Sequence, residues 1–140
     1  RQWLNTSRSA EYLAVLGAFR QVATECSKAF QASALQTENP MRGIDLQPYI
    51  RSAWEAIDGF GLAIDRAALV ASQRARRASV ALENVVTDLR TYTPLADGGQ
   101  SPPSIAELNQ NAYAARSIYE DAVTADLRTR SWRERRQGGT

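Results

Sequence analysis

The chain has 140 residues, enough for one domain with its own core and too few for two. Hydrophobic residues make up 44% and charged residues 23%, a globular balance that excludes a disordered chain. Seventeen basic residues against 15 acidic ones leave a net charge of +2, too small a total to argue for nucleic acid, so the distribution of charge has to decide.

The first predicted helix runs from about Ser9 to Gln36. Tyr12, Val15, Leu16, Phe19, Val22, Ala23, Cys26 and Phe30 recur at steps of three and four and mark its apolar face. Arg20, Gln21, Glu25 and Lys28, the chain's one lysine, form the solvated face. Cys26 is the single cysteine, which excludes an intramolecular disulfide, and its place in the stripe makes it a small core hydrophobe. The stretch TENPMRGIDLQP then reads as a turn around Asn39-Pro40 and Gly43. Asp45 can accept hydrogen bonds from the next helix's first amides, and Pro48 suits its first turn.

The second pattern is long: Ile50, Ala53, Ile57, Phe60, Ile64, Ala68, Ala71, Ala75, Ala78, Leu82, Val85 and Leu89, with no proline among them. It allows one helix of some forty residues, roughly 60 Å long. It also allows two helices, with a reversal near LVASQR and Ser72 capping the second. Gly59 and Gly61 weaken the pattern without ending it. TPLADGGQSPPS is a loop by composition. Ser104 opens the last helix with Glu107 at capping-box spacing, and Leu108, Ala112, Ala115, Tyr119, Val123 and Leu127 give its stripe. The expected architecture is an all-α, antiparallel up-down bundle, four helices being favoured over three with a long middle helix. Its expected divisions are a membrane-proximal or frayed segment at 1–8, the bundle at 9–136 and an unstructured tail at 137–140.

Histidine is absent, which removes the commonest general base and metal ligand and every standard catalytic triad. It also removes the Glu-x-x-His pattern of carboxylate-bridged metal centres in bundles. Glu55, Asp58 and Asp65 share helical spacing and read as solvent-facing partners of Arg51 and Arg66; Glu120 and Asp121 read the same way. Asp97-Gly98-Gly99 lacks the lysine of a phosphate loop and reads as a turn. No catalytic, cofactor or metal residue is therefore expected, and an enzyme is the least favoured reading.

Two basic clusters remain. Arg74, Arg76 and Arg77 fall on an outer helical face, while Arg128, Arg130, Arg133, Arg135 and Arg136 crowd around Trp132 near the C-terminus. Arginines beside an amphipathic aromatic can hold a phosphate backbone or an anionic lipid surface. They can equally be solvated cations favouring a helix C-terminal dipole. Trp3, next to Arg1 and ahead of the first stripe residue, reads either as an interfacial tryptophan or as one packed on the bundle end. Sequence-specific DNA reading is not supported. No run in the 140 residues approaches the ~20 apolar residues of a membrane span.

WLNTSRSAEYLAVLGAF resembles the segment that follows an N-terminal membrane helix in actinobacterial helical-bundle proteins of uncharacterised activity. AIDRAALVASQRARRASVAL is similar to their middle segment, and YAARSIYEDAVTADL to their last helix. Where those proteins often have Gly or Pro at the middle break, this chain has Ala71-Ser72-Gln73. The resemblance implies a membrane-anchored bundle on the cytoplasmic face, with no catalytic residues to carry over. In that setting an unbroken second helix would run back into the bilayer, which favours the reversal near Ser72. The expected function is a non-catalytic cytosolic interaction domain with an unidentified protein partner, Arg1, Trp3 and the arginine clusters lying near lipid. The alternatives are a soluble bundle binding nucleic acid or anionic surfaces without sequence preference, and a secreted helical effector or chaperone-like partner, with homodimers open in either case.

Overall fold

The computed structural model describes residues 2–93 and 104–138, and side chains at 6–93 and 104–128. Among them the chain forms four helices: α1 (Gln2–Glu38), α2 (Gln47–Ala68), α3 (Gln73–Tyr92) and α4 (Ile105–Gly138), with a short 3₁₀ turn at Pro40–Arg42 between α1 and α2. Helices α1 and α2 pair antiparallel, as do α3 and α4, and no strand is present among the described residues.

The long middle pattern breaks where Ser72 was expected to cap. Its backbone is extended (φ −67°, ψ 162°), and its Oγ accepts a hydrogen bond from the Ala75 N–H at 3.1 Å. That satisfies one free amide of the new helix and makes the chain turn back, so the three-helix alternative is overturned. The other turns follow their residue chemistry. Asn39 Oδ1 accepts from the Met41 N–H, and Gly43 takes the left-handed φ of 61° that closes the 3₁₀ turn. Asp45 Oδ1 accepts from the Gln47 N–H at 3.1 Å, with Pro48 in the first turn of α2, and Ser104 Oγ accepts from the Glu107 N–H at 3.1 Å.

Tyr12, Val15, Phe19, Val22, Cys26 and Phe30 of α1 are all buried, and the core is completed mainly by Ile57 and Phe60, Leu82 and Leu89, and Tyr119 and Val123. Two aromatic pairs join the helices edge-on: Tyr12 with Tyr119 at 6.2 Å and Phe19 with Phe60 at 6.0 Å. Near the end of α2 the expected stripe is one residue out of register. Ala67 is buried and Ala68 exposed. Successive four-residue steps overshoot the 3.6-residue turn by about 40° each, so a stripe traced as 60, 64, 68 drifts off the core face.

Two helix ends also differ from expectation. Helix α1 starts at Gln2, about seven residues before Ser9, and carries a buried Arg8 at the start of the apolar stripe. Helix α4 continues to Gly138, two residues into the expected tail; residues 139–140 and the loop at 94–103, including Asp97, lie outside the described residues.

Candidate functional site

A cluster of polar groups buried between helices lies where α1, α4 and the α2–α3 turn converge. The Tyr12 hydroxyl donates to Asp126 Oδ2 at 2.9 Å and accepts from the Ser72 N–H at 3.2 Å. Arg8 Nη1 lies 3.7 Å from the same Asp126 oxygen, each side chain 11% exposed, and neither Arg8 Nε nor Nη1 has a hydrogen-bond partner among the described residues. The Arg8–Asp126 contact is thus an attraction of charges rather than a hydrogen bond. Burial raises the Tyr12 hydroxyl above its ordinary value, the Ser72 bond opposes this, and Asp126 adds to it. Burial likewise pushes Tyr119 up, helped by Tyr12. Both hydroxyls stay protonated at neutral pH, and the cluster joins α1, α4 and the α2–α3 turn through the Asp126 carboxylate and the Tyr12 hydroxyl.

At the other end of the bundle the same holds for Cys26. Its Sγ lies 3.8 Å from Thr93 Oγ1, and burial pushes the thiol up to about 11. Such a thiol is a packing group, since the reactive form is the thiolate. Glu55, Asp58 and Asp65 are exposed, as expected of a solvated face. Their expected pairing with Arg51 and Arg66 does not form: the ion pairs among the described residues are Arg8–Asp126, Lys28–Glu25 and Arg116–Glu120. Exposed partners gain too little in water to hold one geometry. No group of three carboxylates or thiols among the described residues could hold a metal ion.

The joint fixes which end of the bundle each arginine cluster occupies. Because Tyr12, Ser72 and Asp126 touch, the start of α1, the α2–α3 turn, the start of α3 and the end of α4 share one end. Arg74, Arg76 and Arg77 are exposed there. Arg76 Nη2 donates to the Ala68 carbonyl at 2.6 Å and so closes the turn, whereas Arg74 and Arg77 make no ion pair or hydrogen bond among the described residues. Arg128 is exposed two residues after Asp126. Arg130, Trp132, Arg133, Arg135 and Arg136 follow along α4, and Trp3 lies in the first turn of α1; their side chains, and Arg1 altogether, lie outside the described residues.

Charge is consequently separated along the bundle. Dividing the helices at the core residues Val22, Ile57, Leu82 and Ala115, the residues with described side chains on the arginine side comprise eight basic and six acidic ones, a balance of +2. The opposite side holds four basic and seven acidic residues, a balance of −3. A near-neutral chain therefore has one cationic end, which the sequence total concealed.

Three residues of this end were missed from sequence. Arg8 falls on the stripe at the 8, 12, 15, 19 spacing, and that spacing was the available signal for its burial. Exposed Arg66 was read only as an ion-pair partner. Leu69, 85% exposed, lies in the LVASQR stretch that the sequence offers as a reversal, where nothing local singles out its side chain.

Among the described residues no helix is long and apolar enough to cross a membrane. The chain matches no protein-family model, no curated protein and no solved structure.

Proposed function

We propose that this chain is the non-catalytic interaction domain of a membrane-anchored protein, held on the cytosolic side with its arginine-bearing end toward the lipid. The observation that carries the reading is the separation of charge. The cationic end also holds the start of α1, the side from which an anchor would enter. The cytoplasmic leaflet is anionic, and basic residues close to it each strengthen association. Arginine and tryptophan also flank membrane spans on that side. Supporting the non-catalytic part, the Tyr12 hydroxyl and the Cys26 thiol are held in their protonated forms and engaged in contacts between chain segments.

A second reading has the same cationic end holding nucleic acid without sequence preference, and it is favoured by Arg74 and Arg77 having no acidic partner. One experiment separates the two. The chain is sedimented with phosphatidylcholine vesicles, with and without phosphatidylserine, and in parallel titrated into a random-sequence DNA duplex at low and moderate salt. Binding that needs phosphatidylserine and weakens with salt is expected. Binding to the duplex without binding to vesicles replaces the first reading with the second. Binding to neither overturns both.

A further inference from the structure

We infer that Leu69 is an apolar tip that enters the headgroup region of an anionic bilayer, with Arg66, Arg74 and Arg77 set around it against the lipid phosphates. This rests on the reading above and adds the element that touches the membrane. Leu69 follows the last residue of α2 and is 85% exposed, so it does nothing for the core. Nor does the turn require it. The reversal is closed by backbone bonds, from the Leu69 N–H to the Arg66 carbonyl at 3.2 Å and from the Ala71 N–H to the Ala67 carbonyl at 2.7 Å. Arg76 clamps the Ala68 carbonyl beside it at 2.6 Å, so the tip sits on a closed base. A polar residue would serve such a turn at least as well.

The surroundings select the occupant. Arg66 lies one turn before Leu69 in α2, and Arg74 and Arg77 lie in the first two turns of α3, all exposed; Asp65 is the carboxylate nearest in sequence. Long basic side chains can keep their charge among phosphates while their stems lie along an apolar neighbour. The bundle has a second exposed apolar turn residue for comparison, Met41 between α1 and α2, 92% exposed. Met41 sits in the half with a balance of −3, where its neighbour Arg42 is flanked by Glu38 and Asp45. Among the described residues two turns thus present an apolar tip to solvent, and the one at Leu69 belongs to the end that carries exposed Arg66, Arg74 and Arg77. An anionic lipid interface matches both features at once, apolar below and negative around. A nucleic-acid backbone matches the charge and leaves the leucine without a role.

The test places an environment-sensitive fluorophore at each tip, through Leu69→Cys and Met41→Cys. Cys26 is buried with a raised pKa, so it does not compete for label in the folded chain. With vesicles containing phosphatidylserine, the probe at 69 is expected to shift to the blue and to be quenched by spin-labelled lipid, while the probe at 41 stays as in water. In the unlabelled chain, Leu69→Ser is expected to lower vesicle partitioning roughly tenfold with helix content and melting temperature unchanged. Vesicle binding with the probe at 69 unshifted, or with both probes shifted alike, overturns the inference and leaves the proposed function standing. Unchanged partitioning of the Leu69→Ser chain does the same. Failure of the unlabelled chain to bind these vesicles removes both, and a probe at 69 that responds only to duplex DNA assigns this end to nucleic acid.

Discussion

Tyr12 and Asp126 lie 114 positions apart and share a hydrogen bond of 2.9 Å, the contact that ties the first helix to the last. The same hydroxyl accepts from the Ser72 N–H at 3.2 Å, so one oxygen links α1, α4 and the α2–α3 turn. Arg8 approaches Asp126 from a position one helical turn before Tyr12. The cationic end therefore has a fixed geometry where three chain segments meet.

Replacing Tyr12 by Phe keeps the ring against Tyr119 and removes both hydrogen bonds. The loss expected in urea unfolding at neutral pH is about 1.5–3 kcal/mol, typical of a hydrogen bond to a charged acceptor. An unchanged midpoint would mean that water replaces the hydroxyl at no cost and that the joint is not a stabilising element.

Asp126→Asn leaves Arg8 buried without its counter-charge, and Arg8→Met removes the cation while keeping much of its bulk. Each is expected to cost about 3 kcal/mol, and the double variant distinctly less than the sum, because the second change no longer strands a charge. Strict additivity in that cycle would show that the two side chains do not interact.

Ser72→Ala removes the side-chain acceptor from the first turn of α3. A loss of about 1 kcal/mol is expected, with faster amide exchange at Ala75. The four-helix fold should persist, because the Tyr12 bond to the Ser72 backbone does not need the hydroxyl.

Two leucines provide a matched comparison. Leu82 is 0% exposed and Leu69 is 85% exposed. Leu82→Ala is expected to cost about 2–5 kcal/mol through lost burial and the cavity left behind. Leu69→Ala should stay within about 0.5 kcal/mol of the parent chain. Comparable losses at both sites would mean that the α2–α3 turn packs on the core.

Stability should fall on the alkaline side. Tyr12 and Tyr119 are raised above their ordinary value of 10.0 by burial, and Cys26 is raised from 9.0 to about 11. Groups raised on folding give their full stabilisation below their unfolded values and lose it as pH climbs through the folded ones. Melting temperatures should therefore agree at pH 7 and pH 8, begin to fall above about 9 as the unfolded thiol ionises, and fall faster above about 10. Tyrosinate absorbance from the two buried rings should appear together with unfolding.

The sequence by itself determined the helices and their inward faces, because both follow from local chemistry. Steps of three and four place Tyr12, Val15, Phe19, Val22, Cys26 and Phe30 on one side of a helix wherever that helix ends up. Ser72 and Ser104 cap the helices that follow them, and Asp45 accepts from the first amide of α2, by bonds spanning two or three residues. Only the tertiary structure decided which ends coincide. Arg8, Ser72 and Asp126 are dispersed along the chain, and no local rule relates them. Their meeting draws the arginines of α3 and α4 to one end and leaves the other acidic, since charge adds in space and not along the sequence. The structure also decided the exposure of Leu69. In a run of apolar residues a turn is what separates a core leucine from a surface one, and the reversal at Ala71-Ser72 supplied it.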